Sequence, residues 1–253
     1  MFALKRNGTH APQAEAVMTK TQVLSIIIPI YNEAGTIAEL IRRVNAVDIE
    51  KELILVDDGS TDGTKEILNT WALSLPGNMK ILYHPENRGK GAAIATGLSQ
   101  ATGDLVIIQD ADLEYDPQDY PDLLAPFEDE AVQVVYGSRN LRKNPRSTAS
   151  FYWGGRLLSW VTNWLYGSHI TDEATCYKVI RTDLFKRLGV ESTGFEFCPE
   201  ITGKILRNDI HIHEVPISYH PRLWHEGKKI KWHDGVIAIW TLLKYRFAKK
   251  ANL

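Results

Sequence analysis

Covalent staples and metal clusters have little to work with in this chain. Only two of its 253 residues are cysteine, Cys176 and Cys198. They lie far apart, with no Cys or His at ligand spacing beside either, which excludes a disulfide framework and a structural zinc site and points to a reducing, cytosolic compartment. No stretch supplies the roughly 18 consecutive apolar residues of a membrane-spanning helix. The first twenty residues, with Lys5, Arg6 and His10 among Gly, Pro and Gln, lack the apolar core of a secretory signal. The chain therefore reads as neither membrane-spanning nor secreted. Glycine (18) and proline (11) are too few for a collagenous or low-complexity protein, and a net charge of −2 with 44% hydrophobic residues excludes disorder. What remains is a globular chain long enough for one large α/β domain.

The small net charge hides an asymmetry. Residues 221–253 carry eight Lys/Arg against two Asp/Glu, a net +6, and leave the first 220 residues at 21 against 29, a net −8. Six of the seven Trp (153, 160, 164, 224, 232 and 240) also follow residue 150. Aromatic and basic enrichment together suit an anionic or interfacial partner. Tryptophans packed in a core beside a solvated basic face would give the same composition, and the sequence leaves both readings open.

Residues 1–20 show no periodicity and read as a mobile leader. The run VLSIIIPI (23–30) is β-branched and almost continuously apolar, as a strand covered on both faces of a parallel sheet should be. Ile37, Leu40, Ile41 and Val44 then recur at helical spacing. The alternation continues with strands expected at 52–56, 79–83, 105–108 and 132–136. Helices are expected around Ile67 and Leu68, capped by Thr61 or Asp62, and at 91–98 and 120–127. This βαβ repetition predicts a doubly wound, mostly parallel sheet with helices on both faces and ligands beyond the carboxyl ends of its strands. The pattern changes after Arg139. A basic loop (139–146) leads into residues 147–168, which carry the single charge Arg156 and apolar residues around much of a helix circumference. Further strands are expected at 176–180 and 211–217, and helices at 197–206 and 235–247, the last with an apolar stripe against Lys244, Arg246 and Lys249.

Two acidic strings sit at predicted strand ends. In extended chain Asp110, Asp112 and Glu114 would share a face and converge on one hard cation, Mg²⁺ or Mn²⁺, which would neutralise a departing diphosphate. An Asp-x-Asp string also serves as an ordinary acidic turn. Asp57-Asp58 ends the second strand, where a carboxylate can accept from a nucleobase or ribose; Asp62 reads as a turn residue. Tyr31, after the first strand, could stack on a base. Asn87-Arg88-Gly89-Lys90-Gly91 sets two cations and two glycines before a helix without the spacing of a P-loop or a dinucleotide fingerprint.

The strings IIIPIYNE, LVDDGSTDGT, NRGKGAA and QDADLEYDP, in this order over residues 23–139, resemble the family-2 glycosyltransferases of the GT-A fold, which use nucleotide-sugar donors. The string DEATCYK (172–178), GFEFCPEI (194–201) and residues 219–229 extend the resemblance to the dolichol-phosphate mannosyltransferase-like branch. It implies a Rossmann-like domain over 21–230, with a nucleotide-sugar half (21–139) and an acceptor half (140–230), followed by an amphipathic basic helix (231–253). It implies further that Tyr31 and Asp58 hold the base, that Pro29 and Glu33 line its pocket, and that Asp110, Ala111 and Asp112 border ribose, metal and diphosphate. Arg139 would face the sugar phosphate, Arg222 and Lys228 would close over the diphosphate, and Arg156 would hold an acceptor phosphate. Glu114 stands where polyprenol-phosphate members usually have Gln.

The implied reaction is an inverting displacement that moves a hexose from GDP-mannose or UDP-glucose to a polyprenol phosphate. A lipid monophosphate, with a second pKa of about 6, needs no protein base, whereas a sugar hydroxyl does. For a hydroxyl acceptor Asp172, or less favourably Glu173, would be that base. The tryptophans and the basic tail favour the lipid and a peripheral place at the cytoplasmic face of a membrane, alone or with a membrane-protein partner. No nucleic-acid partner is expected. A non-catalytic nucleotide-sugar-binding protein could dispense with Asp112 and Arg222, and a receiver-like domain would be about half as long.

Overall fold

The computed structural model describes residues 22–73, 77–145, 148–222 and 232–250. The leader and Lys228 lie outside them. Seven strands form one sheet: β1 (Leu24–Ile30), β2 (Lys51–Asp57), β3 (Met79–Tyr83), β4 (Leu105–Ile108), β5 (Val134–Ser138), β6 (Lys178–Arg181) and β7 (His213–Pro216), in the order β3-β2-β1-β4-β6-β5-β7. The pairs β1–β2, β2–β3, β1–β4 and β5–β7 are parallel, and only β6 runs antiparallel to its neighbours β4 and β5. Two reversals cancel, so β5 and β7 point the same way as β1 to β4. Six carboxyl ends therefore meet one edge of the sheet, and so does the amino end of β6. Segments more than 100 residues apart are gathered there for that reason.

The first half follows the expected alternation. Helices α1 (Ile37–Asn45), α2 (Thr64–Ala72) and α3 (Lys90–Gln100) separate the first four strands, and α4 (Tyr120–Leu124) precedes β5. The fully buried Leu24, Ile26, Ile27 and Ile28 of β1 each contribute roughly 1.5–3 kcal/mol of transfer free energy to the core. Gly63, at φ +96°, precedes α2, while the Asp62 carboxylate accepts from the Thr64 N–H at 3.0 Å and from its hydroxyl. Asp62 is thus the turn residue its position predicts.

In the second half come α5 (Ala149–Tyr166), α6 (Thr182–Leu188), α7 (Phe197–Arg207) and α8 (Trp232–Phe247). Helix α6 has no counterpart in the sequence pattern, because seven residues hold too few turns to establish a period. Helix α5 answers the question left by the tryptophans. Its inward face carries the small polar Ser159 and Thr162, while Trp153, Trp160 and Trp164 are 67%, 63% and 74% exposed. On the adjacent α8, Val236, Trp240 and Phe247 are exposed as well. These tryptophans are surface residues, not core. Among the described residues, no helix is long and apolar enough to cross a membrane.

Candidate active site

The loops after β1 and β2 are stitched to each other. Asn32, at φ +52°, a region Asn tolerates better than most residues, donates its N–H to Ser60 Oγ at 2.9 Å and accepts from the Thr61 N–H at 2.8 Å. The Glu33 and Ala34 N–H groups go to Thr64 Oγ1 and Asp62 Oδ2. The two glycines of the Asn87–Gly91 string serve a close backbone approach. A Cβ on Gly91 would lie 2.1 Å from the Ser192 carbonyl oxygen, and one on Gly89 2.3 Å from that of Thr193. The Thr193 carbonyl also accepts from the N–H groups of Gly91 and Ala92, so the first turn of α3 is capped by the chain itself.

The acidic segment after β4 departs from expectation. Leu113 sits at φ +64° and residues 111–114 form turns and bends, so the period-2 alternation of an extended chain does not apply. Glu114 is directed elsewhere: its carboxylate accepts from Tyr219 Oη at 2.8 Å and from the Arg222 N–H at 2.7 Å. Asp110 pairs with Lys90 at 2.6 Å. The Lys90 side chain is partly buried, which works against its charge, yet Asp110 beside it holds its pKa well above the usual lysine value. Asp112 is the least compensated of the three. Burial, then the charges of Asp110 and Glu114, push its carboxyl up to about 7. The expected three-carboxylate cluster is therefore not formed, and among the described residues no three His, Cys, Asp or Glu side chains gather as ligands. The surplus of negative charge at Asp110 and Asp112 nevertheless fits a hard divalent cation held by one or two carboxylates and completed by substrate oxygens.

Arg222 ties three segments together. Its Nε donates to the Asp112 carbonyl at 2.7 Å and its Nη2 to Glu33 Oε2 at 3.0 Å. Arg139, at the end of β5, grips Asp172 with Nε and Nη2 at 2.7 Å each and with its backbone N–H at 2.9 Å. Burial alone would raise the Asp172 pKa, but the Arg139 guanidinium overrides it and holds the group below the usual aspartate value. Glu214 of β7 accepts from the backbone N–H groups of Thr171 and Asp172 and so fixes the loop that presents them.

These groups share one cleft of about 1220 Å³ along the carboxyl edge of the sheet. Pro29, Glu33, Asp58, Asp110, Ala111, Asp112, Glu114, Arg139, Arg156, Asp172 and Arg222 all line it, and Phe151, Leu158, Val236 and Ile239 give it an apolar wall from α5 and α8. Tyr31 is not among its lining residues, and Lys228 lies outside the described residues. Sequence reasoning passed over Lys90, Tyr115 and Tyr219 as site residues. Lys90 stood in view inside Asn87–Gly91. Tyr219 reaches Glu114 across 105 residues, a contact with no local signature.

The model of the family Glycosyl transferase family 2 matches residues 25–189, which hold the loops after β1 to β5 and the Asp172 segment. The chain belongs to glycosyl transferase family 2. Among similar proteins is the low-salt glycan biosynthesis hexosyltransferase of Haloferax volcanii, 30% identical over 205 residues that cover 79% of this chain and 48% of that protein. The dodecaprenyl-phosphate galacturonate synthase of Rhizobium johnstonii is 28% identical over 211 residues (79% and 59%). The undecaprenyl-phosphate 4-deoxy-4-formamido-L-arabinose transferase of Pseudomonas fluorescens is 31% identical over 201 residues (78% and 56%). The chain thus spans about half to three-fifths of the length of these relatives. Among solved structures, glucosyl-3-phosphoglycerate synthase of Mycobacterium tuberculosis, in complex with Mn²⁺, UDP and glucosyl-3-phosphoglycerate, has a TM-score of 0.68 at 21% identity, covering 90% of this chain and 81% of that one. The shared fold is the GT-A architecture, a mixed and mostly parallel sheet, as the family-2 strings imply.

Proposed function

We propose that this chain is an inverting glycosyltransferase that moves a hexose from a nucleotide sugar, GDP-mannose or UDP-glucose in the first instance, to a polyprenol phosphate at a membrane surface. The observation that carries the proposal is the composition of the cleft, where carboxylates and cations for a nucleoside diphosphate lie on one side and an apolar wall on the other. Two of the relatives named above carry a polyprenyl phosphate in their own names, which supports the acceptor class.

In this reading Asp58 and Tyr31 hold the base, Pro29 and Glu33 line its pocket, and Asp110, Ala111 and Asp112 border ribose and diphosphate. Mg²⁺ or Mn²⁺, held by Asp112 and Asp110 with substrate oxygens, would supply positive charge against the departing diphosphate. Arg222 adds a fixed cation from the protein, aimed at where that charge develops, and Lys228 is its proposed partner. Arg156, which lines the cleft beside the apolar wall, would hold the acceptor phosphate. Asp172 serves this reading better as a holder of Arg139 than as a base. Its carboxylate is buried and already receives three hydrogen bonds from one arginine, so it is a weak proton acceptor. A sugar-hydroxyl acceptor would thereby be left with Glu173, which lines the cleft and whose carboxyl burial pushes up, as its candidate base, while an already ionised lipid phosphate needs none.

The exposed tryptophans of α5, the apolar residues of α8 and the net positive charge of residues 221–253 support peripheral binding to the cytoplasmic face of an anionic membrane. A membrane-protein partner would use the same face. The test is incubation of the purified protein with Mg²⁺ or Mn²⁺, a panel of radiolabelled nucleotide sugars and membrane lipid extract. Acid-labile label in the organic phase from one donor is the expected result. Metal-dependent donor use that leaves label only on a hydroxyl acceptor would overturn the lipid assignment.

A further inference from the structure

Past the end of β4 the chain leaves the sheet, and Asp110 and Asp112 lie beyond that point. The Gln109 N–H, on the Ile27 carbonyl at 2.9 Å, continues the β1–β4 ladder by one bond. Residues 111–114 then form turns and bends, so no strand pairing orients them. The Gln109 side chain takes over. It is fully buried and is not among the residues that line the cleft. Its Nε2 donates to the Asp110 carbonyl at 2.9 Å, while its Oε1 accepts from Tyr120 Oη at 2.5 Å and from Tyr177 Oη at 2.6 Å.

These contacts admit one orientation of the amide. Reversed, Oε1 would face the Asp110 carbonyl oxygen, acceptor against acceptor. Both lone pairs of Oε1 are taken by hydroxyl donors, which polarise the amide and strengthen the bond that its N–H gives to Asp110. The two tyrosines come from outside the acidic segment. Tyr120 opens α4 and Tyr177 immediately precedes β6, both are fully buried, and their ring centroids lie 5.7 Å apart. Tyr177 also packs on Tyr115 at 4.7 Å, and Tyr115 Oη accepts from the Cys176 N–H at 3.0 Å. Gln109 is therefore braced from α4 and from the start of β6.

The bond to the Asp110 carbonyl fixes the peptide between Asp110 and Ala111. One carboxylate lies before that peptide and the other after it, so its rotation would change the distance and angle between them. Asp110 is then held twice, through its backbone by Gln109 and through its side chain by Lys90 at 2.6 Å. We infer that Gln109 is a positioning residue, which sets the angle at which Asp110 and Asp112 face a divalent cation without touching cation or substrate. The inference rests on the glycosyltransferase reading above, in which these two carboxylates hold Mg²⁺ or Mn²⁺. Groups that orient metal ligands are typically worth about 10–100-fold in metal affinity.

The tyrosines allow orientation to be separated from stability. Tyr120→Phe/Tyr177→Phe keeps the amide on Asp110 but leaves Oε1 buried without a donor, which lowers Tm. Adding Gln109→Met makes the cluster apolar at similar volume, which recovers stability yet removes the bond to Asp110. Gln109→Met alone removes the same bond and leaves both hydroxyls without their acceptor. Mn²⁺ affinity of the full chain is read by electron paramagnetic resonance of free Mn²⁺, with UDP and with GDP, beside metal-free melts. The two variants that lack the Gln109 amide are expected to raise the Mn²⁺ Kd by about tenfold or more, and the double tyrosine variant to stay within about threefold of wild type despite its lower Tm. Either Gln109 variant suffices if the other does not fold. A Gln109 variant that binds Mn²⁺ like wild type, or a double tyrosine variant that loses as much affinity as the Gln109 variants, overturns the inference and leaves the glycosyltransferase reading intact. A wild type that binds no Mn²⁺ with either nucleotide overturns both.

Discussion

The Arg139–Asp172 pair is where a structural and a chemical role predict different outcomes for the same substitution. Asp172 is 1% exposed and its partner's side chain 22%. Asp172→Asn would keep the shape and remove the charge, leaving the Arg139 guanidinium largely buried beside a neutral amide. Removing one member of a buried ion pair costs roughly 3–5 kcal/mol, and the partial exposure of Arg139 with the acceptor retained by Asn places this case near 3 kcal/mol. For a domain of this size about 2–4 °C of Tm accompanies each kcal/mol, so Tm should fall by about 6–12 °C in a calorimetric or circular-dichroism melt at pH 7. Because the folded pKa of Asp172 lies below its unfolded value, its contribution is fully present above the unfolded pKa of about 3.9 and is lost as pH falls through the folded one. The difference between wild type and variant should therefore shrink in acid. The double variant Arg139→Met/Asp172→Asn, with no uncompensated charge, should regain part of the loss. A Tm change below 2 °C for Asp172→Asn, or strict additivity in the double variant, would refute the argument that the carboxylate is committed to Arg139.

Asp112 has the opposite sign: its folded pKa of about 7 is raised, so in metal-free protein its ionisation erodes stability as pH rises from about 4 to 7. Asp112→Asn should raise the metal-free Tm at pH 8 by a few °C, on the order of 1 kcal/mol, while lowering metal-dependent turnover by at least about 100-fold; a lower metal-free Tm would contradict the electrostatics. Arg222→Met should reduce kcat by roughly 100-fold, measured by steady-state kinetics on the donor found in the label-transfer assay, and should also lower Tm, because it removes the ion pair to the buried Glu33 and the hydrogen bond to the Asp112 carbonyl. Trp160→Ser and Trp240→Ser, at residues 63% and 68% exposed, should change stability by about 0.5 kcal/mol or less yet weaken co-sedimentation with anionic vesicles; retained vesicle binding would remove the interfacial role. Gly91→Ala should destabilise by about 1–3 kcal/mol in thermal melts, because its Cβ would lie 2.1 Å from the Ser192 carbonyl oxygen, next to the Thr193 carbonyl that caps α3.

The sequence by itself determined the alternation of strands and helices up to Arg139, and with it the strand-end residues on one side of the cleft. The strands β1 and β4 are almost continuous apolar runs, and the strings after β1, β2 and β4 follow their strands directly, so local pattern and cleft lining coincide at Pro29, Glu33, Asp58 and Asp110–Asp112. What only the tertiary structure decided lies between elements. The reversed β6 brings Asp172 to the edge where Arg139 and Arg222 already stand, a consequence of strand order that no local period encodes. The same holds for Glu114, whose carboxylate accepts from Tyr219 and Arg222 instead of joining a three-carboxylate cluster, with Leu113 before it at positive φ. The tryptophans were equally compatible with core and surface because amphipathic spacing shows that a face exists, not which way it points. Their outward direction follows from the packing of α5 against α8 and from the small polar Ser159 and Thr162 on its inner side. Local sequence fixes backbone preference and burial pattern over a few residues, while charge pairing across 30 to 190 residues depends on topology, and that pairing sets the electrostatics of this cleft.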